Sequence, residues 1–425
     1  MITQQENQLL IDILPGSPAG DLMRRYWQPA ALVDEFRDER PLVPVTLMGE
    51  RLVLFRDEQG RYGLMERHCP HRGADLCFGR LEHGGLRCAF HGWLFDVTGQ
   101  CLEQPAEPAG SRSHAHLKHR AYPCQERNGI VFAYLGAGAP PPLGDFDCFA
   151  APYEYTFAFK GLVECNWLQA VEVGIDPAHA SFLHRFLEDE APEASYGKQF
   201  RGAVGGETPL TRLLREHPRP DISVQEIDYG LRIVTTRDVD AARRHYRITN
   251  LIFPNAIVIP MSDEMTITQW QVPLDNHSSY WFAIFTSFGA TVDKELMRQQ
   301  RLALYELPEY RPRLNRSNDY GFNAEEQRTQ TYTGMGTDIN VHDQWAVESM
   351  GPIQDRTREH LGKSDVAIVK FRKMLKSAIA SARPAEAVSG NPVAVDFIGQ
   401  RDDENCWMEF DGQRRTRARW ASSRR

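Results

Sequence analysis

The chain has 425 residues, 42% of them hydrophobic and 25% charged, with a net charge of −8 at pH 7. This balance excludes a disordered or collagen-like chain, and no run of about 18 uncharged apolar residues offers a membrane-spanning helix. An acidic chain lacks the basic footprint of a nucleic-acid binder, eight cysteines are too sparse for a disulfide framework, and at about 150 residues per domain the length points to two or three domains.

The first eight residues lack the basic region and apolar core of a secretory signal, so a cytoplasmic protein is expected. Residues 6–14 read as a short helix ended by Pro15-Gly16, and a second helix is expected from Asp21 to Trp27, stopped by Pro29. These make a leading helical segment, residues 1–42. From Val43 to about Tyr134 the chain breaks into short apolar runs separated by Gly, Asp and Asn, among them 51–55, 94–97 and 129–134, which is the pattern of a small all-β domain. The Gly- and Pro-rich stretch 136–144 then reads as a linker, so this domain is placed at residues 43–145.

The remainder, residues 146–425, is mixed. Cys165 to Phe186 reads as helical, interrupted at Gly174 and Pro177, and residues 187–221, rich in Glu, Gly and Pro, suggest a long mobile segment or lid. Strand-like runs follow at 222–237, 245–260, 265–273 and 279–288. Helical periodicity returns from Val292 to Leu307 and from Ser364 to Ala380. The expectation is α+β, an antiparallel sheet with helices segregated from it. No internal repeat is found, and residues 413–425, with six arginines, read as a solvated tail.

The sharpest signal is Cys69-Pro-His71 followed sixteen residues later by Cys88-Ala-Phe-His91. Chance would give this spacing in roughly one chain in several thousand. Each half offers one thiolate and one imidazole from a tight loop, and two facing loops can close around an inorganic centre. A structural zinc site also uses two Cys and two His, but zinc fingers usually pair like with like. A Rieske [2Fe–2S] cluster places two Cys on one iron and two His on the other. The mixed halves favour the cluster, with Gly73 and Gly92 allowing tight turns and Phe90 and Trp93 placed to shield it. Ordinary packing accounts for Cys77, Cys101, Cys124, Cys148, Cys165 and Cys406.

At these residues the chain resembles the Rieske domain of the ring-hydroxylating non-haem iron oxygenases, and Gly20 to Pro29 is similar to the start of the phthalate dioxygenase-like branch, which includes aromatic O-demethylases. The resemblance implies an N-terminal all-β Rieske domain and a C-terminal catalytic domain with a helix-grip (START-like) antiparallel sheet, in a terminal oxygenase alpha subunit.

A second constellation, Asp176-x2-His179-x4-His184, follows in the next domain. Two His and a carboxylate on one face of a metal leave positions open for O2 beside substrate. By itself the triplet is weak, with a chance match expected in roughly one chain in twenty. Asp176 could merely cap a helix starting at Pro177. Residues five apart lie about 140° around an ideal helix, so His179 and His184 need a wide or broken turn, which Gly174 and Pro177 can supply.

Within the resembled family, His179 and His184 correspond to iron ligands, Asp176 to a carboxylate bridging to a Rieske histidine of the neighbouring subunit, and Asp343 to the third ligand, in preference to Asp338 and Asp355. That bridge implies a homo-oligomer, a trimer or stacked trimers. Residues 187–240 match no part of the family pattern. The chain has no strand–helix G-x-G-x-x-G and no C-x4-C-x2-C run, so electrons must come from a separate NAD(P)H-dependent reductase, with or without a ferredoxin. Cis-dihydroxylation, monohydroxylation or O-demethylation of an aromatic substrate with O2 would be the outcome. For an aromatic acid, Arg243 or Arg244 on the strand-like stretch 242–254 is the candidate grip for the carboxylate, set against a solvated sheet face. Two other functions stay open from the residues alone: an electron-transfer or redox-sensing protein whose large domain binds a partner, and a zinc-stapled binding module.

Overall fold

Short apolar runs in the first third of the chain pair into three small antiparallel sheets. Leu42–Leu47, Glu50–Arg56, Tyr62–Glu66 and Ala121–Tyr122 form one, and Arg80–Glu82, Gly85–Arg87, Leu94–Asp96 and Cys101–Glu103 form the second. Alternation in Leu42–Leu47 sends Pro44 and Thr46 outward and leaves the other four residues buried, as a half-covered sheet requires. Val53, Phe55, Met65, Leu86 and Phe95 fill the space between the sheets, with Cys69 and Cys88 in the same apolar cluster. The computed structural model describes residues 2–37, 41–144, 146–189, 203–204, 208–262, 265–381 and 394–400.

The third sheet departs from the sequence expectation. Gln28–Leu32 pairs with Ile130–Ala133, which pairs in turn with Cys124–Arg127, so residues ahead of position 43 belong to the sheet that closes the small domain. The preceding helix is Pro18–Met23, not 21–27. Ser17 accepts from the Gly20 backbone N–H, and Pro18 stands in the first turn, where its missing donor costs nothing. Residues 28–32, all buried, are claimed by strand pairing.

The C-terminal part is built on an eight-stranded antiparallel sheet. Its order is Thr156–Val163, Ser279–Ser287, Met265–Pro273, Ala256–Pro260, Arg243–Ile252, Gly230–Asp238, Asp221–Ile227, with Val395–Gln400 also paired to Arg243–Ile252. The helix Val366–Ser381 lies across the end strands and buries Phe371 and Leu375 with Leu10 and Ile11 of the N-terminal helix. This is the expected α+β, helix-grip arrangement. Between Val292 and Leu307 the helix covers only Lys294–Leu302, and Tyr305–Glu306 turns into a two-residue strand against Arg311–Pro312. The six-arginine tail lies outside the described residues, as does much of 187–221. Within that stretch Leu210–Glu216 is a helix whose Arg212 and Arg215 pair with Asp189. No helix among the described residues is long and apolar enough to cross a membrane.

A single apolar cluster crosses from the small domain to the large one. Phe132 meets Trp270 edge-on at 5.4 Å between ring centroids, a pairing worth about 0.5–1.5 kcal/mol beyond the area it buries. The two domains therefore share a packed boundary.

Candidate functional site

Two loops of the small domain are built alike. After Cys69 the chain turns so that the Gly73 N–H donates to the Cys69 carbonyl at 2.8 Å, and after Cys88 the Gly92 N–H donates to the Cys88 carbonyl at 2.9 Å. Both turns need a left-handed residue at the glycine, φ +78° at Gly73 and +72° at Gly92, a conformation that side chains with a Cβ resist. Arg67 clamps the first loop, its guanidinium donating to both Asp75 carboxylate oxygens at 2.6–2.9 Å. That contact holds the Asp75 carboxyl down at about 2.

These turns bring one thiol and one imidazole from each loop together. The His71 and His91 rings meet at 4.5 Å between centroids, and His71 stacks on Trp93 at 4.4 Å. Cys69 and Cys88 are 2% and 4% exposed. Nδ1 of both histidines is buried with no hydrogen-bond partner, a cost that a core group does not normally carry. Burial also holds His91 below its ordinary value, favouring the neutral, ligating form. Two thiols and two orphaned Nδ1 atoms on facing loops fit a Rieske [2Fe–2S] cluster.

In the large domain Asn166 caps the helix Trp167–Gly174 by accepting from the Leu168 N–H. The chain then breaks, and His179 and His184 flank a single helical turn, Ala180–Leu183. Across that one turn the two rings stand at 86° with centroids 5.1 Å apart. Asp343 arrives from the helix Ile339–Ser349. Its Oδ1 lies 3.2 Å from His184 Nε2 and 3.7 Å from His179 Nε2, and one ligand atom from each of the three residues falls within a span of 4.8 Å. Asp338 instead caps that helix by accepting from the Asn340 N–H, and Asp355 accepts from the Thr357 N–H and hydroxyl.

Electrostatics prepare this triad. Burial holds His179 below its ordinary value, against the pull of Asp343. Burial works to raise the Asp343 carboxyl, but His184, His179 and His342 together hold it below the ordinary carboxylate value. The donor set is two imidazoles and one carboxylate, the set that suits non-haem Fe(II). Asp176 Oδ1 accepts from the Ala178 N–H at 2.8 Å, so the local cap exists, while Oδ2 points towards His179 Nδ1 at 3.8 Å.

A cavity of about 190 Å3 opens beside the triad, walled by apolar side chains such as Val163, Ile233, Ile267, Trp281 and Phe285. A dry pocket of about 150 Å3 accommodates benzene, so this volume suits one substituted ring. Arg243 and Arg244 do not line it, which corrects the sequence expectation. Arg243 pairs with Asp240 and is 54% exposed, and Arg244 pairs with Asp238. The strand alternates as expected, with positions 243, 245 and 247 on one face, but at about 3.3 Å per residue only Arg247 reaches the cavity depth. There Arg247 and Arg237 line the wall, as does Arg301 from the helix Lys294–Leu302. Arg247 is held by Asp396, which also binds His245. Arg237 donates to the His217 carbonyl and Ser181 hydroxyl and leaves one terminal nitrogen buried without a partner. Burial, with Arg247 nearby, pushes Arg237 down to about 10, still charged at neutral pH. Sequence reading missed Arg237 because it lies in the stretch with no family match, although the strand pattern of 230–238 marks it as facing Ile233 and Thr235 along one side.

Comparison with known proteins agrees with both centres. Residues 26–123 match the Rieske [2Fe-2S] domain, and residues 134–396 match the LigXa C-terminal domain like family. The phthalate 4,5-dioxygenase oxygenase subunit of Pseudomonas putida is 35% identical over 408 residues, covering 92% of this chain and 89% of the relative. The oxygenase subunit of tert-butanol monooxygenase / tert-amyl alcohol desaturase from Aquincola tertiaricarbonis is 33% identical, with 88% and 76% covered. The 5,5'-dehydrodivanillate O-demethylase oxygenase subunit of Sphingobium sp. (strain NBRC 103272 / SYK-6) is 33% identical, with 88% and 79% covered. Among solved structures, the QL mutant of Pseudomonas putida CBB5 NdmA with theobromine superposes with a TM-score of 0.58 at 19% identity, over 86% of this chain and 93% of that one, a likeness of fold.

Proposed function

Because the chain belongs to the Rieske non-haem iron oxygenases as an oxygenase subunit, we propose that Cys69, His71, Cys88 and His91 hold the [2Fe–2S] cluster, that His179, His184 and Asp343 hold a mononuclear Fe(II), and that the cavity takes a single-ring aromatic acid. When bound, the iron supplies O2 activation and the cluster passes on electrons from a separate NAD(P)H-dependent reductase, directly or through a ferredoxin. One observation carries the reading: the three converging ligand residues line a largely apolar cavity whose wall also bears the guanidiniums of Arg237, Arg247 and Arg301. Arg247, fixed by Asp396, and the open nitrogen of Arg237 would grip the substrate carboxylate bidentately. The apolar walls would hold the ring against the metal site and exclude water, with the ring's pose selecting dihydroxylation, monohydroxylation or O-demethylation.

Asp176 would act between subunits. Its Oδ2 can accept from His179 Nδ1 and, across an interface, from a cluster histidine of a neighbouring copy, fixing both rings. This requires a homo-oligomer, a trimer or stacked trimers, in the cytoplasm where a reductase is available. Metal counting tests the reading. Purified protein should hold three irons per chain, and His179→Ala should hold two with an unchanged Rieske visible spectrum. Two irons in both proteins would instead favour an electron-transfer protein.

A further inference from the structure

His342 takes no part in the triad, yet it is the best-buried histidine beside it, at 0% exposure. Its two ring nitrogens have different partners. Nε2 lies 2.9 Å from the Gly336 carbonyl oxygen, and Nδ1 lies 3.4 Å from Nδ1 of His184, with the two rings stacked at 22° and 5.7 Å between centroids. A carbonyl only accepts, so His342 Nε2 must carry the proton it donates. In the neutral ring this leaves Nδ1 as a lone-pair acceptor facing His184. His184 then has one compatible tautomer, Nδ1–H donating to His342, which leaves its Nε2 lone pair aimed at the position shared with Asp343 Oδ1, 3.2 Å away.

The anchor of this relay is itself fixed. Glu326 receives the Gly336 N–H at 2.8 Å and the Thr331 hydroxyl at 2.7 Å, and the Thr331 hydroxyl oxygen accepts from the Gly334 N–H at 3.0 Å. The loop 331–336 is thus pinned at both ends, and the Gly336 carbonyl is held where His342 finds it. His342 also shares the helix Ile339–Ser349 with Asp343, so one rigid element delivers a ligand and the group that orients a second ligand. Ligating imidazoles commonly donate their other N–H to a carboxylate, carbonyl or water, and losing such a partner typically costs about 10–100-fold in metal affinity.

We propose that His342 is a positioning residue that locks His184 in its Nδ1–H tautomer, a histidine-to-histidine relay running from Gly336 to the iron. The inference rests on the reading of His179, His184 and Asp343 as the mononuclear iron site. Two variants separate orientation from packing. His342→Gln can still reach Gly336 but offers no acceptor at the Nδ1 position, whereas the amide oxygen of His342→Asn takes the place of Nδ1. Mononuclear iron retention is followed as the rate and extent of Fe(II) loss to a chelator, with the Rieske visible spectrum and the Tm recorded on the same samples. His342→Gln should release mononuclear iron about ten- to hundredfold more readily, and His342→Asn should recover most of the loss, both with an unchanged cluster spectrum. Wild-type retention in His342→Gln, or equal loss in the two variants, overturns the proposal. A wild-type protein holding no iron beyond its cluster would overturn the metal-site reading instead.

Discussion

Arg247 and Arg243 are two side chains apart on one face of one strand, yet one lines a cavity and the other lies in solvent beside Asp240. Composition and alternation could find the face but not the depth, because depth depends on where the neighbouring strand Gly230–Asp238 and the strand Val395–Gln400 end against it. The two arginines therefore part company under mutation. Arg247→Gln should raise KM for an aromatic acid about tenfold to hundredfold, the loss expected for a charged hydrogen bond of about 1.5–3 kcal/mol, while Arg243→Ala should leave KM unchanged. Steady-state kinetics on a small panel of aromatic acids and their methyl esters provides the check, and equal KM in wild type and Arg247→Gln would sink the assignment. The cysteine and histidine residues of the cluster loops were legible for the opposite reason. Their chemistry is carried by contiguous residues, and Gly73 and Gly92 fix each turn locally.

Helices and loops place the catalytic side chains, and one buried ionic group ties them together. Glu172, on the helix that leads to His179, receives both Arg356 and Arg372, and Arg372 also binds Glu359. Arg356 is fully buried and donates to Asn7 of the first helix as well. The group joins the N-terminal helix, the helix Trp167–Gly174 and the long helix Val366–Ser381. Removing the Glu172 carboxylate leaves Arg356 buried with no carboxylate and Arg372 with Glu359 alone, so Glu172→Ala should cost about 3–5 kcal/mol. Thermal unfolding would show this as a large fall in Tm, and a Tm within a degree or two of wild type would mean that the network contributes little. None of this was visible in the sequence, since the participants stand up to 349 positions apart. The break between the helix Trp167–Gly174 and the turn that carries His179 and His184 was visible, because Gly174 and Pro177 announce it locally.

The cluster loops and the triad sit on different domains of one chain, joined by a continuous apolar core. If Asp176 bridges neighbouring copies, the protein in solution should have the mass of three or six chains by light scattering. Asp176→Asn should keep that mass and all three irons per chain while slowing turnover with the reductase by one or two orders of magnitude. A monomer with full activity would refute the bridge. Overall acidity, meanwhile, does not oppose the proposed anionic substrate, because Arg237, Arg247 and Arg301 line the cavity.

By itself the sequence pointed to the α+β class and to the candidate cluster residues, and with the family resemblance to His179 and His184, because each is written in a few consecutive positions whose turn geometry is local. Tertiary structure alone decided which arginines line the cavity, that Gln28–Leu32 closes the first domain, and that His342 stands behind His184. The last two join residues 98 to 158 positions apart. Their closeness follows from how strands register and helices pack, which no local pattern specifies.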